Sequence, residues 1–95
     1  SSPTARSFAR ACAVRAAEHA AAAPAEAAPR AVEMAAGGER RARAAEVSED
    51  PYGASQGGAV CAYIAAMTAF CSGGMGGYDA EREWQARWLA RELKL

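Results

Sequence analysis

The side chains best suited to chemistry are three thiols and the one imidazole of the chain: Cys12, His19, Cys61 and Cys71. Cys12 and His19 are seven residues apart and therefore share one face of a predicted helix. If two helices pack together, the other two thiols could join them, and three thiols with an imidazole would suit Zn²⁺. Structural zinc sites, however, usually present their ligands in close pairs such as C-x-x-C, which these spacings do not form. We therefore predict no metal site and interpret the cysteines as small apolar residues among alanines.

The other patterns that resemble catalytic sites lack the residue spacing that catalysis requires. A thiol nucleophile needs an adjacent base in an electropositive setting, and no spacing places His19 beside a cysteine in that way, so we interpret it as a helix-surface or interface residue. Glu81 and Glu83 lie near two tryptophans but point to different sides of a helix, and Glu83 is placed four residues before Arg87 as an ordinary surface ion pair. The glycines at 73–77 lack the order of a phosphate-binding loop. The sequence therefore predicts no catalytic residues and no cofactor.

The aromatic side of the last predicted helix is the candidate binding surface. Trp84 and Trp88 are four residues apart and should pack largely in the core. Tryptophan and arginine are also favoured at interface hot spots, and Arg87 and Arg91 lie beside the two rings. The two interpretations can coexist on one helix, so the candidate partner-binding residues are Trp84, Arg87, Trp88 and Arg91.

Prolines, glycines and apolar spacing divide the chain into helices. The most regular pattern is Val60, Ile64, Met67 and Cys71, which predicts a central buried helix beginning near Gly57. Three other helices are predicted before it: 4–23, 29–36 and 39–47. Gly37 and Gly38 end the second of these, and the segment 48–53 ends the third. A last helix is predicted from 80 to about 94, with Asp79 as its N-cap after a glycine turn at 72–77. We expect a single all-α domain over residues 1–95, built as a compact bundle of four to six short helices.

Composition limits the classes of partner. Twenty-eight of the 95 residues are alanine, which favours helix but buries little area, so we expect the bulkier residues to supply most of the core. The net charge is zero and both halves are balanced, which argues against nucleic acid binding. Neither a run of eighteen apolar residues nor a signal peptide is evident, so we expect no membrane span and a cytoplasmic location. Because the chain opens without methionine, we expect either a trimmed chain or a module of a longer protein.

Two stretches resemble known proteins: the first runs from residues 8–15 through residues 29–33 to Gly37 and Gly38, and the second covers residues 78–89. They are similar to alanine-rich helical proteins of bacteria, among them Imm5-like immunity proteins and related planctomycete modules. In that group an early Cys/Arg helix, a Pro-Arg-x-Ala-x-Glu helix ended by glycine and a closing helix with an aromatic-Gln pair follow in this order. The resemblance implies a bacterial conflict or regulatory setting in which the chain binds another protein and catalyses nothing. No active-site residues carry over.

The functional expectation is therefore protein interaction. The first hypothesis is a non-catalytic adaptor or assembly module in a bacterial defence or signalling system, comparable in size to death-like adaptor domains. The second is an immunity protein that binds and neutralises a cognate toxin. The third is a small metal-binding or thiol-dependent helical domain. The partner would be an effector, a toxin or further copies of the chain itself, which makes a homo-oligomer one of the expected outcomes.

Overall fold

Three helices form the protein in a computed structural model, which describes the backbone of residues 2–95 and the side chains of residues 3–95. They are α1 (Ser2–Ala22), α2 (Ala28–Val47) and α3 (Pro51–Leu93), and each packs against the other two. The described residues contain no strand, so the all-α prediction is confirmed. The predicted count of four to six helices is not matched, because two expected boundaries lie within the range of one helix: Gly37 and Gly38 lie inside α2, and the glycines at 72–77 lie inside α3, which bends at Gly74 without ending there.

The first of these boundaries is the pair Gly37 and Gly38, which lies inside α2. Gly38 is buried, and a Cβ built at this position would lie 3.3 Å from the Cγ2 atom of Ile64 in α3. Cys61 donates its S–H to the carbonyl oxygen of Gly38 at 3.5 Å. The missing side chain therefore permits a close approach between α2 and α3, and this packing outweighs the low helix propensity of glycine.

The N-terminus of α3 lies earlier than its predicted start near Gly57. Asp50 is the N-cap, and its carboxylate accepts hydrogen bonds from the backbone N–H groups of Tyr52 and Gly53 at 3.1 and 3.2 Å. Pro51 follows in the first turn, where its missing N–H has no helical partner to lose. The predicted break over residues 48–53 is therefore confirmed only for residues 48–50, because residues 51–53 already belong to α3.

A reversal at Gly74 divides α3 into a first segment, residues 51–73, and a second segment, residues 75–93. Gly74 has φ 65° and ψ −155°, a conformation that glycine adopts without the steric cost of a side chain. A straight helix of this length would extend about 65 Å, whereas the longest dimension of the protein is 39 Å. The predicted glycine turn is thus confirmed in place, but Asp79 lies inside the second segment and is not an N-cap.

Alanine, rather than the larger apolar residues, fills the centre of the bundle. Val60, Ile64 and Met67 are only half-buried, which differs from the expectation that bulky residues supply the core. Small side chains let the helices approach closely, so dispersion contacts between backbones replace contacts between large side chains. The buried apolar residues are Phe8, Ala9, Cys12, Ala13, Ala16, Ala20, Ala31, Ala35, Ala42, Ala45, Ala54, Cys61, Ala62, Ala65, Ala66 and Ala69.

Two arginines of α1 hold α2 in place. Arg6 donates to the backbone carbonyl oxygens of Ala45, at 3.3 Å, and of Ser48, which lie at the end of α2. Arg10 forms salt bridges with Glu39 at 2.6 Å and with Glu46 at 2.8 Å. Hydrogen bonds from Arg10 lower the pKa of both glutamates below their ordinary value of 4.5.

One of the three helices, α3, is long and apolar enough by length and composition to cross a membrane. A single helix of this kind is weak evidence for a span, because the core helix of a bundle passes the same test. Here α3 packs against both α1 and α2 and reverses its direction at Gly74.

Candidate interaction surface and buried polar cluster

The first segment of α3 lies within the longest uncharged stretch of the chain. Residues 51–78 contain no aspartate, glutamate, lysine or arginine, and this stretch is bounded by Asp50 and Asp79. In a helix at the surface of a soluble protein, charged residues normally occupy the face that points to water. The outward face of this segment therefore has the composition of a surface that is covered by something else.

Large rings stand on that outward face. The exposed fractions are 70% for Tyr52, 55% for Tyr63 and 43% for Phe70, and Gln56 and Ala59 between them are also exposed. We call these five residues the α3 face. Their spacings along the helix are four, three, four and seven residues, which is the repeat of a helix that packs along another helix.

A shallow groove, which we call the methionine groove, borders the α3 face at its Phe70 end. Met34 of α2 and Met67 and Cys71 of α3 form its floor, while Glu26 and Arg30 lie at its rim. Methionine side chains adapt their shape to different apolar partners. The groove therefore extends the apolar surface around Phe70 toward α2 and adds one charge of each sign at its edge.

The four residues predicted to bind a partner all lie on the second segment of α3. Trp84 lies beneath the guanidinium of Arg15, whose Cζ atom is 4.2 Å from the ring centroid, and Trp88 lies 5.4 Å from the ring of Phe8. Both tryptophans are half-buried, so each packs against α1 and still exposes part of its ring. Arg87 and Arg91 are exposed, and Arg87 forms the predicted ion pair with Glu83 at 2.6 Å.

A buried polar cluster, not predicted from the sequence, ties the second segment to α1. Glu81 is 1% exposed, and its Oε1 accepts hydrogen bonds from Arg15 Nε at 2.9 Å and Nη2 at 2.8 Å. The Nε2 atom of His19 lies 2.8 Å from the same oxygen. Gln85 donates to Oε2 of Glu81 at 3.0 Å and to the backbone carbonyl oxygen of Ala62 at 3.0 Å. One carboxylate therefore joins α1 to the second segment, and Gln85 joins that segment to the first.

This cluster is suited to hold the helices together. Among the described side chains, every buried nitrogen or oxygen has a hydrogen-bond partner, so neither oxygen of Glu81 is left free inside the protein. A carboxylate bound by an arginine, a histidine and a glutamine amide is held in one position and is shielded from a substrate. Glu81, which the sequence placed only near the two tryptophans, is therefore a buried contact between helices.

The four candidate zinc ligands do not assemble. Cys12 and Cys61 are buried, Cys71 lies half-buried in the methionine groove, and His19 faces Glu81. Within residues 3–95, no group of three or more metal-ligating side chains converges. Burial raises the pKa of the Cys12 thiol to about 12 and that of Cys61 to about 11. These two thiols are therefore protonated at neutral pH, which is unfavourable for a nucleophile or a metal ligand.

No protein family, curated protein or solved structure matches this chain. Its function therefore has to be inferred from the chemistry of its surface.

Proposed function

We propose that this chain is a non-catalytic protein-interaction module of the adaptor or assembly kind. The observation that carries the proposal is the α3 face, a row of exposed rings on a helix segment without a single charge. Leaving three rings in water is unfavourable by comparison with burying them, and a folded partner would remove that cost. The helical spacing of the rings favours a partner that presents a helix.

The arrangement of the titratable groups supports a role without catalysis. Glu81 and His19, which could serve as acid and base, bind each other and Arg15 inside the fold. Two of the three thiols are buried and protonated. General acid–base or nucleophilic catalysis needs such groups within reach of a substrate.

The ridge of Trp84, Arg87, Trp88 and Arg91 is a second proposed contact surface. The exposed guanidinium of Arg91 and the outer parts of the two indole rings lie on the segment that the polar cluster holds rigid. A rigid surface loses little conformational entropy on binding. The setting in a bacterial defence or signalling system, and a location in the cytoplasm, are parts of this proposal that depend on sequence resemblance and composition.

The proposal is tested by the size of the protein in extracts of the cells that encode it. When the 95-residue chain is expressed on its own in those cells at a concentration above about 100 μM, it should elute from a size-exclusion column well above the position of a 9.8 kDa monomer. The Tyr63→Lys variant should elute at or near the monomer position, because the lysine places a charge in the centre of the α3 face. A native chain that elutes as a monomer would contradict the proposal.

A further inference from the structure

We infer that the α3 face binds a second copy of the same chain, in a symmetric dimer whose two α3 helices run antiparallel. This inference rests on the proposed interaction function and names the partner of the α3 face. The partner must meet a helix segment of 23 residues that has no charge. An uncharged partner helix is required, because a charged side chain placed against these rings would be buried without a counter-charge.

The order of residues along the α3 face is self-complementary. With a two-fold axis at the level of residue 61, Tyr52 of one copy lies opposite Phe70 of the other. The same axis places Tyr63 opposite Ala59, so that a large ring meets a small side chain. Closed dimers with a two-fold axis use the same patch on both subunits, and this pattern meets that requirement.

Charges at the two ends of the α3 face fit the same arrangement. Arg30 lies beside Phe70 at the rim of the methionine groove, and Glu49 precedes the N-cap of α3 beside Tyr52. Both side chains are exposed, and neither takes part in an ion pair within the described part of the chain. In the antiparallel dimer the α2 helices of the two copies lie on the same side of the paired α3 helices. Arg30 of each copy then approaches Glu49 of the other, which gives two intersubunit pairs of opposite charge.

The exposed area predicts a dimer of moderate affinity. Residues 52–70 extend about 27 Å along the helix axis, and the three rings together expose roughly 300 Å². A standard interface buries about 800 Å² on each partner, so the α3 face with the neighbouring groove provides a small interface. We therefore expect a dissociation constant between about 1 and 100 μM.

The test is sedimentation equilibrium of the purified full chain from 1 μM to 1 mM, comparing the native protein with two variants. Tyr63→Lys should weaken dimerisation at least tenfold, since it places a lysine from each copy in the interface. Val32→Lys is the matched control, because Val32 is 56% exposed, close to the 55% of Tyr63. Val32 lies seven residues before Glu39, on the side of α2 that meets α1, and this variant should dimerise like the native chain.

The orientation of the dimer is tested by exchanging the two charges. Arg30→Glu should weaken the dimer about threefold at low salt, because two exposed ion pairs are replaced by two repulsions. Adding Glu49→Arg to this variant should restore the native affinity. A parallel pairing places the two α2 helices on opposite sides and would show no rescue.

Several outcomes would overturn the inference. A native chain that stays monomeric at 1 mM, or a dimer that Tyr63→Lys does not weaken, excludes the α3 face as the dimer contact. If the native chain is monomeric but binds phosphatidylcholine vesicles, and Tyr63→Lys abolishes that binding, the α3 face contacts lipid. A pure protein that is monomeric while the chain in cell extracts is part of a larger complex would refute the dimer and leave the interaction function standing.

Discussion

The buried carboxylate of Glu81 should be the most sensitive polar group in the protein. Glu81→Gln keeps the size of the side chain but leaves Arg15 and His19 facing a neutral amide. Hydrogen bonds to a charged group contribute about 1.5 to 3 kcal/mol, and breaking a fully buried ion pair costs about 3 to 5 kcal/mol. The side chains of Arg15 and His19 are 27% and 22% exposed, so water lessens the loss. We therefore expect a destabilisation of about 2 to 3 kcal/mol, or a fall in Tm of about 10 to 20 °C.

The matched control is Glu83→Gln, two residues away on the same helix segment. Glu83 and its partner Arg87 are 67% and 62% exposed, so the free energy of unfolding should change by less than about 0.5 kcal/mol. Urea unfolding followed by circular dichroism gives both values, and tryptophan fluorescence reports the stacking of Arg15 on Trp84. Equal and small losses for the two variants would refute the claim that Glu81 locks the second segment of α3 to α1.

Three further predictions follow from the packing of the glycines, the burial of the thiols and the salt bridges between α1 and α2. Gly77→Ala should destabilise the reversal of α3, because its Cβ would lie 2.5 Å from a backbone carbonyl oxygen of the first segment. In Gly76→Ala the Cβ meets nothing within 4 Å, so this variant should be neutral or stabilising, and thermal unfolding compares the Tm of the two. In the native protein, iodoacetamide followed by mass spectrometry should label Cys71 before the two buried cysteines, and equal rates for all three would contradict their assigned burial. Arg10→Met should destabilise the protein at pH 7. The difference in the free energy of unfolding from the native chain should shrink as the pH falls below 4.5, because the pKa values of the two glutamates bound to Arg10 are lower in the folded than in the unfolded state. A difference that stays the same in urea unfolding at several pH values would contradict this.

Local signals in the sequence were sufficient to predict the helical class and several boundaries. Pro29 marks the first turn of α2, and the glycines around Gly74 mark the reversal. Pro51 lies in the predicted break, but it begins α3 instead of preceding it. Proline and glycine act through their own backbone geometry, so their effects can be predicted without knowledge of the fold.

Structural features that depend on contacts between residues far apart in the sequence could not be predicted from it. Gly38 resembles a helix terminator, but its lack of a side chain serves the approach of Ile64 from another helix. Glu81 resembles an exposed charge at a helix start, and its burial depends on Arg15, 66 residues earlier in the chain. Two rings of the α3 face, Tyr63 and Phe70, have a helical spacing that also fits a core. The missed signal was the absence of charge across residues 51–78, which differs from the charged face that a solvated helix normally shows.

The central claim is that the α3 face is a protein contact, and photo-crosslinking from that face tests it most directly. One variant carries a benzophenone amino acid in place of Tyr63, and a control variant carries it in place of Val32. Both are irradiated in the native cells, and mass spectrometry gives the masses of the products. We expect a protein adduct from position 63 that is absent from position 32, at twice the 9.8 kDa mass of the chain if the partner is a second copy. Lipid adducts alone, or no adduct from position 63, would contradict it.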